Sequence, residues 1–305
     1  MIAESAPAEN RDVVEELETA LRSHVISVMS DPSGELAAMT TANLLITWFN
    51  WRDRLVEPRP RQVHRSRELL ASQEAQENAA ELAEIEAGIA AGVDLTPWLS
   101  SRTSVAYTES AARGRLKHRR DLDLLISNWG IHHLHLERAP ERSALLLFTV
   151  FRPDDAYLLQ LLPHGRWADS SLVEIIIRNW PDESLVMGQL KGAIGLSQSY
   201  DDRELLQLRE AGVTTLLPVD GGVWVVGTMS TAGTALASTV RSDAIMREIQ
   251  TWQEKLSSDP YALDVFVRSR GHLVNGCGTW APYLEDSEFG FVEHSAGLRI
   301  RIGRL

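Results

Sequence analysis

The hydrophobic residues of the first ninety positions recur with the period of an α-helix. Apolar residues from Val13 to Val28 are spaced by three and four, and Asp31-Pro32-Ser33-Gly34 then ends the pattern. A second helix is predicted from about Glu35, ending before Pro58. Residues 68–91 are rich in Glu, Ala and Gln, which predicts a third, largely exposed helix.

The pattern changes in the middle of the chain, where short apolar runs are separated by turn residues. Residues 131–136, 144–151 and 156–162 predict three strands. Between the last two, Arg152-Pro153-Asp154-Asp155 has the composition of a turn and predicts a β-hairpin. A helix is predicted to follow, from Ser170 or Ser171 to Trp180.

The last third alternates helices with hairpins. Helices are predicted over residues 197–211 and 240–256. Asp220-Gly221-Gly222 between two apolar runs is a strong hairpin signal, and a final hairpin is predicted over residues 289–302.

These elements together predict an α+β fold, in which an N-terminal helical region precedes a mainly antiparallel sheet with packed helices. The polar stretch from Ser100 to Gly114 is the best candidate for a linker. We therefore expect a helical region over residues 1–110 and an α+β domain over residues 111–305.

Composition narrows the possible functions. The chain has 305 residues, of which 44% are hydrophobic and 24% charged, as in an ordinary globular protein. Its net charge of -12 argues against a protein that coats nucleic acid. Cys277 is the single cysteine, which excludes an internal disulfide and suits a reducing compartment. Neither a signal peptide nor a membrane span is predicted, so we expect a cytoplasmic protein with no membrane partner.

The stretch Asn128–Leu136 concentrates side chains that can do chemistry, with three of the chain's nine histidines in four positions. On a strand, His133 and His135 share one face and His132 lies on the other. His164 follows the predicted hairpin in a loop, so the three strands could bring it to the same end of the sheet as His133 and His135.

Two imidazoles with different protonation states can serve as acid and base without a metal or another cofactor. We predict His133 and His135 in these roles, with His164 assisting. Arg142 and Arg166 are predicted to hold a phosphoryl group. Such a site could cleave RNA with the RNA's own 2′-hydroxyl as nucleophile.

Two basic runs, residues 52–67 and 113–120, could face the phosphates of RNA. The alternative for the first run is that its arginines pair with the acidic helix that follows. The candidate binding residues are Arg61, Arg65, Lys117, Arg119 and Trp129.

Residues 113–182 are predicted to form a helical lead-in followed by a short antiparallel sheet, with His and Arg near the strand ends. This layout is similar in outline to that of small bacterial endoribonuclease toxins and barnase-like nucleases. The resemblance is one of layout, without a shared motif. It implies a ribonuclease of a toxin or phage-defence kind, with RNA as substrate and an antitoxin as a possible protein partner.

A metal site is the second chemistry open to these residues. His133 and His135 form an HxH pair on a strand, and His164 and Asp169 could complete a zinc site. That arrangement would make the protein a metal-dependent hydrolase.

Two further alternatives need no catalysis. The histidines could be hydrogen-bonded core residues. Trp48, Phe49 and Trp51 cannot all lie on one helical face, so with the basic run of residues 52–67 they could dock a protein or nucleic-acid partner. The protein would then be an interaction module.

Overall fold

The structure is a computed structural model that describes residues 12–29, 34–104, 107, 121–138, 144–183, 185–274 and 277–305. Within these ranges the chain forms ten α-helices and three mostly antiparallel sheets, which confirms the predicted α+β class. None of the described helices is long and apolar enough to cross a membrane.

The described elements are as follows. The helices are α1 (Val13–Met29), α2 (Thr41–Arg52), α3 (Arg67–Ala71), α4 (Gln73–Glu77), α5 (Ala79–Ala91), α6 (Leu124–Trp129), α7 (Ser171–Asn179), α8 (Asp202–Glu210), α9 (Leu236–Ser258) and α10 (Ala262–Ser269). The strands are β1 (Gln62–Arg65), β2 (Ile131–His135), β3 (Leu145–Phe151), β4 (Asp155–Pro163), β5 (Gly188–Gln189), β6 (Leu216–Val219), β7 (Gly222–Val225), β8 (Trp280–Glu285), β9 (Glu288–Glu293) and β10 (Arg299–Arg304). Short 3-10 helices cover Thr96–Trp98 and Ser101–Ser104.

The chain divides into two compact units. One combines Met1–Phe49 with Ser238–Leu305, and the other is Asn50–Ala237. This division differs from the boundary predicted near residue 110. The difference arises because β1 and the helices α3 and α5, which precede residue 110, pack on the central sheet of the second unit.

The first unit pairs helices with the sheet β10-β9-β8, in which the strands are antiparallel. The apolar period of α1 places Val13, Leu17, Leu21 and Val25 in the core, as predicted. The final predicted hairpin corresponds to β9 and β10, whereas strand β8 was not predicted.

Residues 68–91 were predicted to form one continuous helix. This prediction is wrong, because the segment contains three helices, α3 to α5. The two breaks fall at Ser72 and Asn78; Ser72 caps the helix that follows it, as Ser66 does at the start of α3. The side chain of Ser66 accepts from the backbone N–H of Leu69, and that of Ser72 accepts from the N–H of Ala75.

The central sheet of the second unit has the strand order β1-β4-β3-β2. Strands β2, β3 and β4 are antiparallel neighbours, which confirms the predicted hairpin and the pairing of residues 131–136 with it. Strand β1 joins β4 in parallel and was not predicted. A smaller sheet, β5-β7-β6, contains the predicted hairpin around Asp220.

Both faces of the central sheet are buried. On one face, Leu147 and Leu158 belong to a cluster with Leu82 and Ile85 of α5. On the other face, the second cluster joins β3 to the apolar stripe of α7 and to the smaller sheet. Because β3 and β4 carry apolar residues on both faces, the hairpin needs a layer on each side.

Two left-handed glycines provide a test of this packing. Gly92 ends α5 at φ 73°, and Gly130 ends α6 at φ 69°. A Cβ at Gly92 would lie 2.4 Å from the backbone nitrogen of Pro60, whereas a Cβ at Gly130 would meet nothing within 4 Å. We expect Gly130→Ala to cost about 1–2 kcal/mol for the left-handed conformation alone. Gly92→Ala should cost clearly more, since backbone atoms must move.

Urea unfolding of the two variants beside the unchanged protein measures this difference. Equal free energies of unfolding would show that the approach of residues 59–60 to Gly92 is not a tight constraint.

Candidate functional site

A cleft of about 410 Å³ lies within the unit Asn50–Ala237. Its polar wall contains imidazole, guanidinium and carboxylate groups, and the rest of its wall is apolar. A cleft of this size fits a small ligand or one piece of a polymer. The charged and histidine residues that line it are Arg54, Arg102, Asp123, His133, His135, His164, Arg209 and Glu210.

The turn from α6 into β2 brings Asp123 and His133 together. Asp123 caps α6, because its Oδ1 accepts from the N–H groups of Leu125 and Ile126. At the other end of the helix, Gly130 takes the left-handed conformation and the chain enters β2 directly. The Nδ1 of His133 lies 3.6 Å from Oδ2 of Asp123. This distance is too long for a hydrogen bond, and it lies within the range of an ion pair, which exists only when His133 is protonated.

Strand alternation separates the three histidines of β2 as predicted from the period of two. His133 and His135 lie opposite Phe148 and Leu146 of β3 and line the cleft. His132 lies on the other face, where its ring packs edge-on against Phe151.

His164 reaches the cleft from the loop after β4. Its ring centroid lies 5.3 Å from that of His135. Trp167 from the same loop lies between two of the imidazoles, with its ring centroid 4.8 Å from His133 and 5.8 Å from His164. The three histidines differ in exposure, since His135 is buried, His133 is nearly so and His164 is exposed.

Burial and charge act in opposite directions on His133. Burial lowers the pKa of His133 below its ordinary 6.5, and the nearby carboxylate of Asp123 acts to raise it. His164 and Arg102 add to the lowering. His133 is therefore neutral at neutral pH, which is the form that accepts a proton.

Two buried arginines line the cleft. Burial lowers the pKa of both Arg54 and Arg209 to about 10, so both remain charged at neutral pH. Arg54 donates to the carbonyl of Arg102. Arg209 donates to Asn128 and to the carbonyl of Trp167, and its guanidinium lies 4.0 Å from the ring centroid of Trp129.

Sequence reasoning included Arg54 only as part of the basic run of residues 52–67, and it missed Arg209 and Asp123. Arg209 lies four positions after the buried Leu205, so the helical period of α8 places a charge on its buried face. An arginine on the buried face of a predicted helix is therefore a sequence signal for a buried, functional charge. The sequence signal for Asp123 is weaker, since an Asp directly before an apolar run is typical of an ordinary helix N-cap.

Several predicted site residues lie elsewhere. Arg166 forms a 2.6 Å ion pair with Asp169. The other oxygen of Asp169 accepts from Ser171. Trp129 is buried beneath Arg209. The predicted residues Arg142, Lys117 and Arg119 lie outside the described residues.

The two binding arginines of the first basic run are already engaged. Arg61 is buried and donates to the carbonyls of Arg152, Glu57 and Arg59. Arg65 pairs with Glu86 of the acidic helix, which is the alternative that the sequence left open. The aromatic residues Trp48 and Phe49 are buried as well.

Across the described residues, no group of three or more His, Cys, Asp or Glu side chains is arranged to hold a metal ion. The predicted zinc ligand Asp169 already bonds Arg166 and Ser171. The described polar wall of the cleft combines three imidazoles with arginines and carboxylates.

No model of a protein family, no curated protein and no solved structure matches this chain. The similarity in outline to small ribonuclease toxins and barnase-like nucleases therefore stays a prediction. Any function proposed for the cleft must therefore be argued from the residues that line it and from their geometry.

His132 makes the stability of the protein depend on pH. It is buried, its Nε2 donates to the carbonyl of Asp53 at 3.1 Å, and burial lowers its pKa to about 4. The unfolded chain takes up this proton near pH 6.5, before the folded chain does. Stability is therefore lost as the pH falls from 6.5 towards 4, by up to about 3 kcal/mol from this residue.

The expected result is that His132→Gln, which cannot titrate, loses less stability than the unchanged protein between pH 7 and pH 4.5. Urea unfolding at the two pH values measures this. An identical loss in both proteins would mean that folding does not lower the pKa of His132.

Proposed function

We propose that the cleft is the active site of a metal-independent ribonuclease that uses histidines as acid and base. The observation that carries the proposal is the meeting of His133, His135 and His164 at one cleft that arginines also line. Metal-free phosphodiester cleavage needs these two kinds of group, because protons must move while negative charge on phosphorus is stabilised.

His133 is the candidate base. Its lowered pKa keeps the imidazole neutral at neutral pH. Asp123 faces its Nδ1, which leaves Nε2 as the nitrogen that takes a proton. Asp123 would also stabilise the imidazolium that forms, as a positioning residue.

His164 is the candidate acid. It is exposed, so it can reach a leaving group at the mouth of the cleft, and it lies beside His135 at a centroid distance of 5.3 Å. His135 is buried between the strand and this loop residue. We assign His135 the role of holding His164 in place.

The proposed step conserves atoms and charge. His133 removes the proton from a ribose 2′-hydroxyl, and the 2′-oxygen forms a bond to phosphorus. The bond from phosphorus to the 5′-oxygen breaks, and His164 gives its proton to that leaving oxygen. The products are a 2′,3′-cyclic phosphate and a free 5′-hydroxyl, and Arg102 at the exposed side of the cleft stabilises the phosphorane charge.

The negative net charge of the chain is compatible with this proposal. Among the described lining residues are three arginines, Arg54, Arg102 and Arg209, and two carboxylates, Asp123 and Glu210. The cleft therefore has a local excess of cations that the composition of the whole chain conceals.

Replacement of the two proposed catalytic histidines tests the function. We expect His133→Gln and His164→Gln each to lower RNA cleavage about 10²- to 10⁴-fold, because each removes one proton transfer. Labelled single-stranded RNA and DNA are incubated with the proteins in EDTA. RNA cleavage should survive EDTA, and DNA should stay intact because it has no 2′-hydroxyl.

His272→Gln is the matched control, since this exposed histidine does not line the cleft. Melting temperatures of all variants separate lost chemistry from lost folding. Cleavage that EDTA abolishes would instead favour the metal-dependent hydrolase, and folded protein that cuts no RNA would refute the proposal.

The pH dependence of cleavage gives an independent test. The base must be neutral, so activity falls as the pH drops through the pKa of His133, and the midpoint of that limb should lie below 6.5. Asp123→Asn removes the charge that raises this pKa, while Asn can still cap α6. We expect the midpoint to move to lower pH, and an upward move would contradict the assignment of His133 as base.

A further inference from the structure

The cleft contains apolar side chains that the acid–base chemistry does not use. Leu124 and Ile126 line it from α6, and Leu206 lines it from α8. Leu124 and Ile126 are only half-buried, and neither belongs to the two hydrophobic clusters described above. Apolar surface that faces a cleft without serving a core is typical of a wall that contacts a ligand.

Trp167 connects the apolar wall to the histidines. Its ring is half-buried, lines the cleft and lies 4.8 Å from the ring of His133. A ligand that contacts both has a flat or apolar part within one ring's width of its reacting group. A nucleotide has this construction, because its base is a flat ring one sugar away from the phosphate.

The exposure of His133 limits how a phosphate can approach it. The side chain of His133 is 10% exposed, so the ribose and phosphate must enter the cleft. A nucleotide within a duplex cannot do this while its base stays paired and stacked. Unpaired nucleotides can turn their bases outward onto aromatic side chains.

From these features we infer that Leu124, Ile126 and Trp167 form a subsite for one unpaired nucleobase, which makes single-stranded RNA the substrate class of this cleft. The inference rests on the proposed ribonuclease function and adds the part of the substrate that the apolar wall recognises. The side chains of Leu124 and Ile126 offer only apolar contact and Trp167 offers a ring for stacking, so the subsite would accept bases of different identity.

Leu124→Ser tests the subsite without removing a residue from the described core. Leu70→Ser is the matched control, because Leu70 is 58% exposed on α3 and does not line the cleft. Melting temperatures establish that both variants fold. Trp167→Leu and Trp167→Phe form a second pair, in which only Phe keeps an aromatic ring.

Two measurements are made on each protein. The first is kcat and KM on a labelled RNA, alone and annealed to its complement. The second is the Kd for a 2′-O-methyl RNA of the same sequence, which lacks the nucleophilic hydroxyl and cannot be cut. We expect Leu124→Ser and Trp167→Leu to raise KM and Kd about tenfold with little change in kcat, and Trp167→Phe to restore most of the affinity. The annealed RNA should be cut at least about tenfold more slowly.

The outcomes separate the two proposals. If RNA is cleaved but the duplex is cut equally well, or Leu124→Ser behaves as Leu70→Ser does, the base subsite is refuted and the ribonuclease stands. If no RNA is cleaved, the ribonuclease is refuted, and the 2′-O-methyl RNA then decides the subsite alone. Binding weakened by Leu124→Ser supports the subsite, and no binding refutes it.

Discussion

Burial of the β3–β4 hairpin on both faces is the constraint on which the second unit depends. Each strand alternates between two apolar clusters, so an uncovered face would expose leucines and phenylalanines to water. The helices α3 and α5 cover one face, and α7 with the smaller sheet covers the other. The strand order then leaves β2 at one edge, next to α6.

The position of β2 at the edge of the sheet allows this strand to carry three histidines. In the middle of a sheet covered on both faces, a polar imidazole would have few partners and a high desolvation cost. At the edge, His133 and His135 can face a cleft while His132 is held on the other face by the carbonyl of Asp53. The remaining desolvation of these side chains lowers the pKa values of His132 and His133.

Asp123 is the electrostatic centre of the cleft. One oxygen caps α6, and the other faces His133. The same carboxylate also acts on the buried cations Arg54 and Arg209, whose pKa values it raises against the effect of burial. A single side chain thus helps to fix a helix start and to keep three buried basic groups in one place.

The sequence predicts those parts of this arrangement that depend on local periodicity. The hairpin follows from its turn residues, and the opposite faces of His132 and His133 follow from the period of two. Strand β1 has no such signal, since Gln62-Val63-His64-Arg65 is polar and gains its conformation from a distant partner, β4. Its basic residues could form a phosphate-binding surface, but Arg65 pairs with Glu86.

The cleft itself was harder to predict, because it depends on which distant side chains meet. Arg54, Arg102 and Arg209 come from three separate segments, and the sequence favoured Arg142 and Arg166, which are closer to the histidines along the chain. The structure pairs Arg166 with Asp169, and Arg142 lies outside the described residues. Proximity along the chain is a poor guide to a site assembled by tertiary packing.

In the proposed reaction, two histidines that differ in burial act as base and acid, so no metal ion is needed to activate the nucleophile. An acid and a base made of the same side chain need different protonation states at one pH. Desolvation keeps His133, whose ring is almost covered, in the neutral form that a base needs, and His164 is the exposed imidazole of the pair. Trp167 packs against both rings, with its ring centroid 4.8 Å from that of His133 and 5.8 Å from that of His164. The same ring also belongs to the proposed base subsite, so the nucleobase of the substrate would lie beside the catalytic imidazoles.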